Sequence, residues 1–440
     1  MRAACAVAIT RLARVYGMMP VFVQQRDRKE REPAMADTDK KDVVILGGGL
    51  VGMTLAITLA TRGISSHLID AADPESQLQA GFDGRASAIS TASWNLLTNI
   101  GLADRLERFG CPIEEIAVND QMKRGELRFR PEPEEGTLGR MFANLELRRA
   151  LFEAVGEKKE IAFHPRSSIV ARERGAHGVE AVREDGTRFP GSLLIGAEGR
   201  GSPTREDAGL AVATWDYRHR AIVCGLAHEK PHEGVAWEIF YPAGPFALLP
   251  MLDDEDGRHR SALVWTVDEA EAAGWLKLPD KAFLHEATKR MGTMYGALEL
   301  AAPRMSYPLG FHHAPTIVAD RVALVGDAAH GIHPIAGQGL NLGMRDVAAL
   351  AEVLEEGMRL GLEPGDAQLL KRYQDWRGLD DFSVAVATDS LTRIFGIPGA
   401  AASVVRRLGM AAIERIDPMK RWFMDEARGV SGTLPALLRD

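Results

Sequence analysis

Residues 42–70 read "DVVILGGGLVGMTLAITLATRGISSHLID", and how this stretch is read decides the fold. A short apolar run, Val43–Leu46, gives way at Gly47 to a longer stretch with apolar residues at helical spacing. A second short apolar run then ends at Asp70. The order is strand, tight turn, helix, strand, with Gly47-x-Gly49-x-x-Gly52 at the turn. Gly47 permits the turn, Gly49 lets the backbone approach a pyrophosphate, and Gly52 lets helix pack on strand. The helix N-terminus offers free N–H groups and the positive end of its dipole to the phosphates. Asp70, about 20 residues on, can accept from a ribose hydroxyl and would repel a 2′-phosphate. An adenine dinucleotide is expected here, and the motif alone leaves NAD and FAD both open.

The same apolar stretch is long enough to raise the question of a membrane span. Its four early glycines and its change of period assign it to a buried βα unit, so the chain is not expected to cross a bilayer. At 440 residues the chain exceeds what one hydrophobic core usually serves. The net charge of −8 offers nothing to a nucleic-acid backbone. Three cysteines, Cys5, Cys111 and Cys224, lack CxxC spacing, which argues against a zinc or disulfide framework. The first 34 residues carry seven Lys/Arg against three Asp/Glu. A transit-like presequence, an amphipathic surface anchor and an extension before a start at Met35 compete there. The last is preferred, since Met35 stands a few polar residues before the first strand.

From about residue 211 to 270 the period changes to short strand-like runs, "RAIVCGLAH", "VAWEIFYP", "FALLPML" and "SALVWTV", joined by turn-rich connections. An antiparallel sheet is expected, with "GCPIEEIAVND" and "ELRFRPEP" as further strands. Trp237, Phe246 and Leu248 on these runs are candidates for lining a substrate cavity, against the plainer reading of core packing. A further strand, "GSLLIGAEGRGSPTR", ends in a glycine-rich turn. Near the last third, "RVALVGDAAHGIHPIAGQGLNLGMRDVAALAEVL" (321–354) runs from a strand through Asp327, His330, His333 and Pro334 into a long helical pattern. The spacing of Asp327, His330 and His333 invites a metal reading. Pro334 and the glycines break any helix that would align them, and no further ligand completes a set, so no metal is expected.

Taken together, these stretches resemble the FAD-dependent aromatic hydroxylases of the para-hydroxybenzoate hydroxylase fold. They are most similar to the ubiquinone-biosynthesis hydroxylases among them. The resemblance covers nearly everything after residue 40. It rests on "GGGLVG" (47–52), "GAEGRGSPTR" (196–205) and "RVALVGDAAHGIHPIAGQGLNLGMRD" (321–346), together with "DGRASAIS" (83–90), "GPFALLP" (244–250) and "ATDSLTRIFG" (387–396). One departure stands out: the family's second motif holds Asp-Gly, and here it is Glu198-Gly199.

The resemblance implies an α/β (α+β) fold: a Rossmann-like FAD-binding domain, an interleaved antiparallel-sheet substrate domain and a C-terminal helical region. The expected divisions are an extension over 1–40, a discontinuous FAD domain over 41–110, 140–215 and 305–345, and a sheet domain over 111–139 and 216–304. Residues 346–440 form the helical region. It also implies that FAD occupies the Gly47, Gly49, Gly52 turn with Asp70, that Arg148 neutralises the pyrophosphate and that Arg85 lies near the flavin or the substrate entrance. Glu198 and Gly199 then belong to the second cofactor loop, and Asp327 meets the ribityl chain. Pro334, Gly337, Gln338 and Gly339 pass beside the ring, and the helix starting near Asn341 aims its positive end at the flavin.

The activity so implied is a monooxygenase reaction. NAD(P)H, bound transiently, reduces the flavin, and O2 forms a flavin C4a-hydroperoxide that attacks an electron-rich ring. No side-chain nucleophile or base is expected. The substrate is a polyprenylated phenol of ubiquinone synthesis. The implied setting is peripheral, at the inner membrane surface on the cytoplasmic side, with a mitochondrial location left open and other enzymes of the pathway as partners. Arg406, Arg407, Lys420 and Arg421, beside apolar residues near the C-terminus, suit interfacial docking or an ordinary packed helix. Three competitors are a hydroxylase of a soluble aromatic compound, a nicotinamide-dependent dehydrogenase and a non-catalytic flavin-binding scaffold. A flavin-dependent halogenase is disfavoured because no WxWxIP stretch occurs.

Overall fold

A computed structural model describes residues 40–79, 82–123, 125–331, 338–378 and 400–439. Walking along the chain, β1 (Lys41–Leu46), α1 (Leu50–Ala60) and β2 (Ser66–Ile69) form the opening unit. β3 (Ala86–Ser90), β4 (Cys111–Ile113), β5 (Glu115–Asp120), β6 (Leu127–Phe129) and β7 (Gly139–Ala143) precede α2 (Asn144–Glu157). β8 (Ile161–His164), β9 (Ile169–Gly175), β10 (Gly178–Arg183) and β11 (Arg188–Gly196) follow. Next come β12 (Ala213–His228), β13 (Val235–Tyr241), β14 (Gly244–Met251) and β15 (His259–Asp268), then α3 (Glu269–Lys277) and α4 (Asp280–Met291). β16 (Leu298–Leu300), β17 (Met305–His313), β18 (Val318–Ala319), β19 (Val322–Leu324) and β20 (His330–Gly331) lead to α5 (Gln338–Arg359). α6 (Ala400–Arg415) and α7 (Asp417–Arg428) lie near the end.

β1, β2, β8, β11 and β19 pair in parallel in the order β19-β11-β1-β2-β8, the α/β sheet expected from the opening stretch. Val43, Val44 and Ile45 are fully buried, with α1 packed on β1 and β2 and with β10 also against β1. Burying each such side chain stabilises the fold by roughly 1.5–3 kcal/mol. The chain leaves β1 towards β2 on one side, and β11 flanks β1 on the other. A crevice therefore opens at the carboxyl ends of β1 and β11, where doubly wound sheets bind ligands.

The second sheet has nine strands in the order β20-β17-β12-β15-β14-β13-β5-β6, with β16 also paired to β12. It is antiparallel except for β13 beside β5. Three boundaries differ from the sequence reading. β17 belongs to this sheet, next to β12, and not to the dinucleotide unit, because its nine residues continue the antiparallel ladder from Ala213↔His313 to Val223↔Met305. β4 leaves the sheet for a separate three-stranded one, β3-β7-β4. α5 runs straight through the boundary proposed at 345/346 and packs on α1, so it is part of the dinucleotide unit.

The large sheet has unlike faces. Ile222, Cys224 and Leu226 of β12, Phe246 and Leu248 of β14, and Leu263 and Trp265 of β15 are at most 3 % exposed, packed against Phe283, Ala287 and Met291 of α4. The opposite face turns towards the small sheet β3-β7-β4.

Candidate functional site

At the β1–α1 turn the glycines divide by cause. Gly47 has φ +106°, and a Cβ there would lie 2.4 Å from the Ala197 carbonyl oxygen. A Cβ on Gly52 would lie 1.9 Å from the Gly47 carbonyl oxygen. Both are demanded by the protein's own packing. Gly49 is different: its backbone is extended (φ −72°, ψ −175°), it caps α1 without a side-chain bond, and a Cβ there would meet nothing within 4 Å. A cleft of about 520 Å³ opens beside it, lined by Gly47, Gly49, Asp70, Ser168, Arg172 and Glu198 among others. That volume falls in the range of small-molecule and cofactor sites.

Asp70 ends β2 at this cleft, and its carboxylate accepts from two backbone groups, Gly48 N–H at 2.5 Å and Ala72 N–H at 2.6 Å. It thus braces the glycine turn directly. Past Asp70 lies a smaller recess, lined by Gly48, Asp70, Arg148 and Phe152. Arg148 comes from α2, is partly buried, and makes no hydrogen bond or ion pair among the described residues. Burial, then the nearby Arg85 guanidinium, hold its pKa below the ordinary arginine value. A half-buried cation of this kind calls for an anion. Arg85 itself is paired, with its Nη2 2.5 Å from Asp83 Oδ2.

The second loop follows β11. Glu198 accepts from Ser202 Oγ at 2.5 Å, from Thr204 Oγ1 at 2.9 Å and from Arg172 Nη2 at 3.2 Å. Arg172 also pairs with Asp207 at 2.9 Å. The extra methylene that distinguishes Glu198 from aspartate carries the carboxylate out to these partners. Its neighbour Gly199 takes φ +82°, a left-handed conformation that favours glycine.

The third loop follows β19. The Asp327 carboxylate is partly exposed, 3.4 Å from Arg200 Nε, and its carbonyl accepts from His312 Nε2 at 2.6 Å. His330 turns away from Asp327: its Nε2 donates to Asp346 Oδ2 at 2.7 Å. Asp346, fully buried on α5, also accepts from Gly326 N–H at 2.8 Å and from Arg377 Nε at 2.7 Å. Burial alone would raise the Asp346 pKa, but His330 and Arg377 hold it below the ordinary aspartate value. Pro334, Gly337 and His333, together with the stretch 387–396, lie outside the described residues.

α5 begins at Gln338, three residues before the start expected from sequence. Gln338 Nε2 reaches the Ala427 carbonyl at 3.5 Å, and Gly339 has open space where a Cβ would stand. The Asn341 side chain is engaged by β3: its Oδ1 accepts from Ser90 N–H and its Nδ2 donates to the Ala88 carbonyl, both at 3.0 Å. Asn341 therefore pins the helix start to β3.

The proposed substrate residues are corrected. Phe246 and Leu248 are fully buried on the α4 side of the sheet, Phe246 edge-on to Trp265 at 5.4 Å between ring centroids. Trp237 shares that face, with the Arg128 guanidinium 5.3 Å above its ring. The strand period of two sends all three away from the face that looks towards the small sheet.

Gly49's open backbone, the partnerless Arg148 and the crevice between β1 and β11 thus fit a dinucleotide with a pyrophosphate. Residues 40–379 match the family model described as "FAD binding domain". The chain belongs to this FAD-binding family. It is an FAD-dependent monooxygenase. It is 43% identical to "Ubiquinone hydroxylase UbiL" of Rhodospirillum rubrum over 398 residues, 90% of this chain and 92% of that one. It is 32% identical to the "3-demethoxyubiquinol 3-hydroxylase" of Escherichia coli, covering 88% of this chain and 98% of that one. Among solved structures, p-nitrophenol 4-monooxygenase PnpA from Pseudomonas putida shares its fold, with a TM-score of 0.74 at 17% identity, over 90% of this chain and 100% of that one.

Sequence reasoning missed Asp346, Arg377 and Arg172 in this FAD-binding chain. The usable signal for Asp346 was a carboxylate on the buried stripe of α5, where Leu342, Val347, Leu350 and Val353 are all buried.

Proposed function

We infer that this protein is an FAD-dependent monooxygenase that hydroxylates the aromatic ring of a polyprenylated phenol in ubiquinone biosynthesis, with NAD(P)H and O2 as co-substrates. The similarity to a ubiquinone hydroxylase along 90% of the chain carries the reading. In this reading the Gly47–Gly52 turn, the start of α1 and Arg148 hold the pyrophosphate of FAD, with Asp70 bracing the turn. Asp327 and the start of α5 flank the ribityl chain and the ring. Bound FAD supplies the passage of electrons from nicotinamide to O2 and of one oxygen atom to the substrate. The chain's own work is to bind, to orient and to exclude water. The apolar sheet face opposite the α4 core is suited to an aromatic ring.

The test is the quinone-lipid profile of cells lacking the protein, read by mass spectrometry. A polyprenyl phenol short of ring oxygen, with ubiquinone lost, supports the reading. An unchanged ubiquinone pool in a cell with no second hydroxylase overturns it and leaves a hydroxylase of some soluble aromatic compound.

A lipid-tailed substrate resides in a membrane, and we propose that α7 meets that surface. Among the described residues no helix is long and apolar enough to cross a membrane. Ile416, Met419 and Trp422 are 44–48 % exposed and recur every three residues, while Phe423 and Met424 turn inward. Arg415 and Arg421 stand exposed beside them. This face suits an interface carrying anionic lipid. The basic residues named from sequence divide. Arg406 is buried on Asp120 at 3.2 Å, Lys420 pairs with Glu414 at 2.6 Å, and the Arg407 side chain lies outside the described residues. The double change Met419→Glu, Trp422→Glu is expected to lower co-sedimentation with anionic vesicles by roughly tenfold or more, from lost apolar burial. Turnover of a short-tailed phenol should stay unchanged. Undiminished sedimentation would remove α7 as the docking face.

A further inference from the structure

On the sheet face opposite the α4 core, burial is incomplete where it should be greatest. Val223 of β12, Val264 of β15 and Leu249 of β14 lie on the innermost strands, yet each is partly exposed, while their neighbours on the other face are sealed. Val223 and Val264 pair across the ladder, and the row continues through Ala247 to Glu238 on β13. Directly opposed residues share a face, so Glu238 stands at the edge of this open apolar floor, with only the Ala247 methyl between.

Glu238 is 8 % exposed. It makes no hydrogen bond or ion pair among the described residues, and its oxygens are not among the sealed polar atoms of the interior. Asp120 provides the contrast. It opposes Phe240 on the neighbouring strand, the same face two residues further along, and is held by Ser403 and Arg406. A buried carboxyl normally finds a partner in the protein. Glu238 has none, and desolvation alone pushes its pKa up to about 8, so at neutral pH it is largely protonated and can both donate and accept. β3, which edges the same space through Ala86 and Ala88, is the strand to which Asn341 pins the start of α5. The floor thus adjoins the start of α5.

We propose that the Glu238 carboxyl is the polar anchor for the hydroxyl of the phenolic substrate, hydrogen-bonding it at the edge of an otherwise apolar floor. This rests on the reading of the protein as a phenol hydroxylase and adds a residue that orients the ring within it. The strand places Glu238 there at a cost in stability, since no protein group among the described residues satisfies it.

The experiment uses the FAD-loaded full chain and two probes, a 4-alkylphenol and its methyl ether, with binding read by perturbation of the flavin absorption spectrum. Wild type is expected to bind the phenol about tenfold more tightly than the ether, the size of one hydrogen bond made in a desolvated site. Glu238→Leu should cut that preference to less than twofold while raising Tm, because an unsatisfied buried polar group has gone. Glu238→Gln, nearly isosteric, should keep most of the preference, since the amide also donates and accepts. A preference unchanged in Glu238→Leu overturns the proposal while the hydroxylase reading stands. If Glu238→Leu fails to fold, Glu238→Ala takes its place, and a preference left unchanged there likewise overturns the proposal. Wild type that binds neither probe overturns both together.

Discussion

Replacing Gly49 with alanine is expected to leave a folded protein that no longer retains FAD. The backbone at 49 is extended, so alanine adopts it without strain, and the added Cβ meets no protein atom within 4 Å. The methyl instead occupies the space in which a pyrophosphate would approach the start of α1. The expected result is unchanged far-UV circular dichroism with a loss of FAD affinity of about 100-fold, or roughly 2.7 kcal/mol. Gly52→Ala provides the opposite pattern. Its Cβ would sit 1.9 Å from the Gly47 carbonyl oxygen, so helix and strand must part. A loss exceeding about 4 kcal/mol of stability is expected there, the size reserved for steric conflict in a core. FAD titration by fluorescence quenching, alongside thermal melts of the apo forms, separates the two. FAD binding by Gly49→Ala at the wild-type level would show that the turn is not the pyrophosphate seat.

The division between these glycines shows what sequence can and cannot give. The strand, turn and helix of residues 42–70 are legible because each is a local period. The glycine spacing names a geometry, but which glycine serves the fold and which the ligand depends on Ala197, some 150 residues away. The large sheet is legible in its hairpin strands, β12 to β15, for the same local reason. The place of β17 is not, because β17 joins β12 across more than 80 residues of chain, and nothing in its own composition records that partner. Phe246 and Leu248 fail for a different reason. Alternation along β14 reveals two faces, but which one meets a cavity depends on where α4 and the small sheet pack. The helix start near Asn341 is legible in the sequence, whereas the hold of Ala88 and Ser90 on the Asn341 amide is not, because β3 lies some 250 residues away. Glu238 is not legible either, because one glutamate in a strand looks like the polar half of an alternating pattern. Its meaning lies in the lack of a partner among the described residues.

His330, in the third loop, leads to a second large expected loss of stability, in Asp346→Asn. Asp346 gathers Gly326 N–H, His330 Nε2 and Arg377 Nε on one fully buried carboxylate. It so ties both ends of the segment bearing Asp327 to α5 and to the helix that carries Arg377. Asparagine keeps the shape but removes the charge, and its NH2 group would face donors. Arg377, only 2 % exposed, then loses the carboxylate that its Nε faces at 2.7 Å. Removing one partner from such a cluster costs about 3–5 kcal/mol, far more than the net worth of the pair. Asp346→Leu with Arg377→Leu should recover part of that loss, since the guanidinium that faced the carboxylate is removed with it. The pH dependence gives an independent check. Because the folded pKa of Asp346 lies below the ordinary 3.8, its contribution to stability is fully present above that value and is lost as pH falls through the folded value. The deficit of Asp346→Asn relative to wild type should therefore be full from pH 5 to 7, on the order of those 3–5 kcal/mol, and shrink only below about 3.8. Urea unfolding across that range measures it. A deficit that grew towards acid would mean that Asp346 is protonated in the folded protein, and that His330 and Arg377 are held by something else.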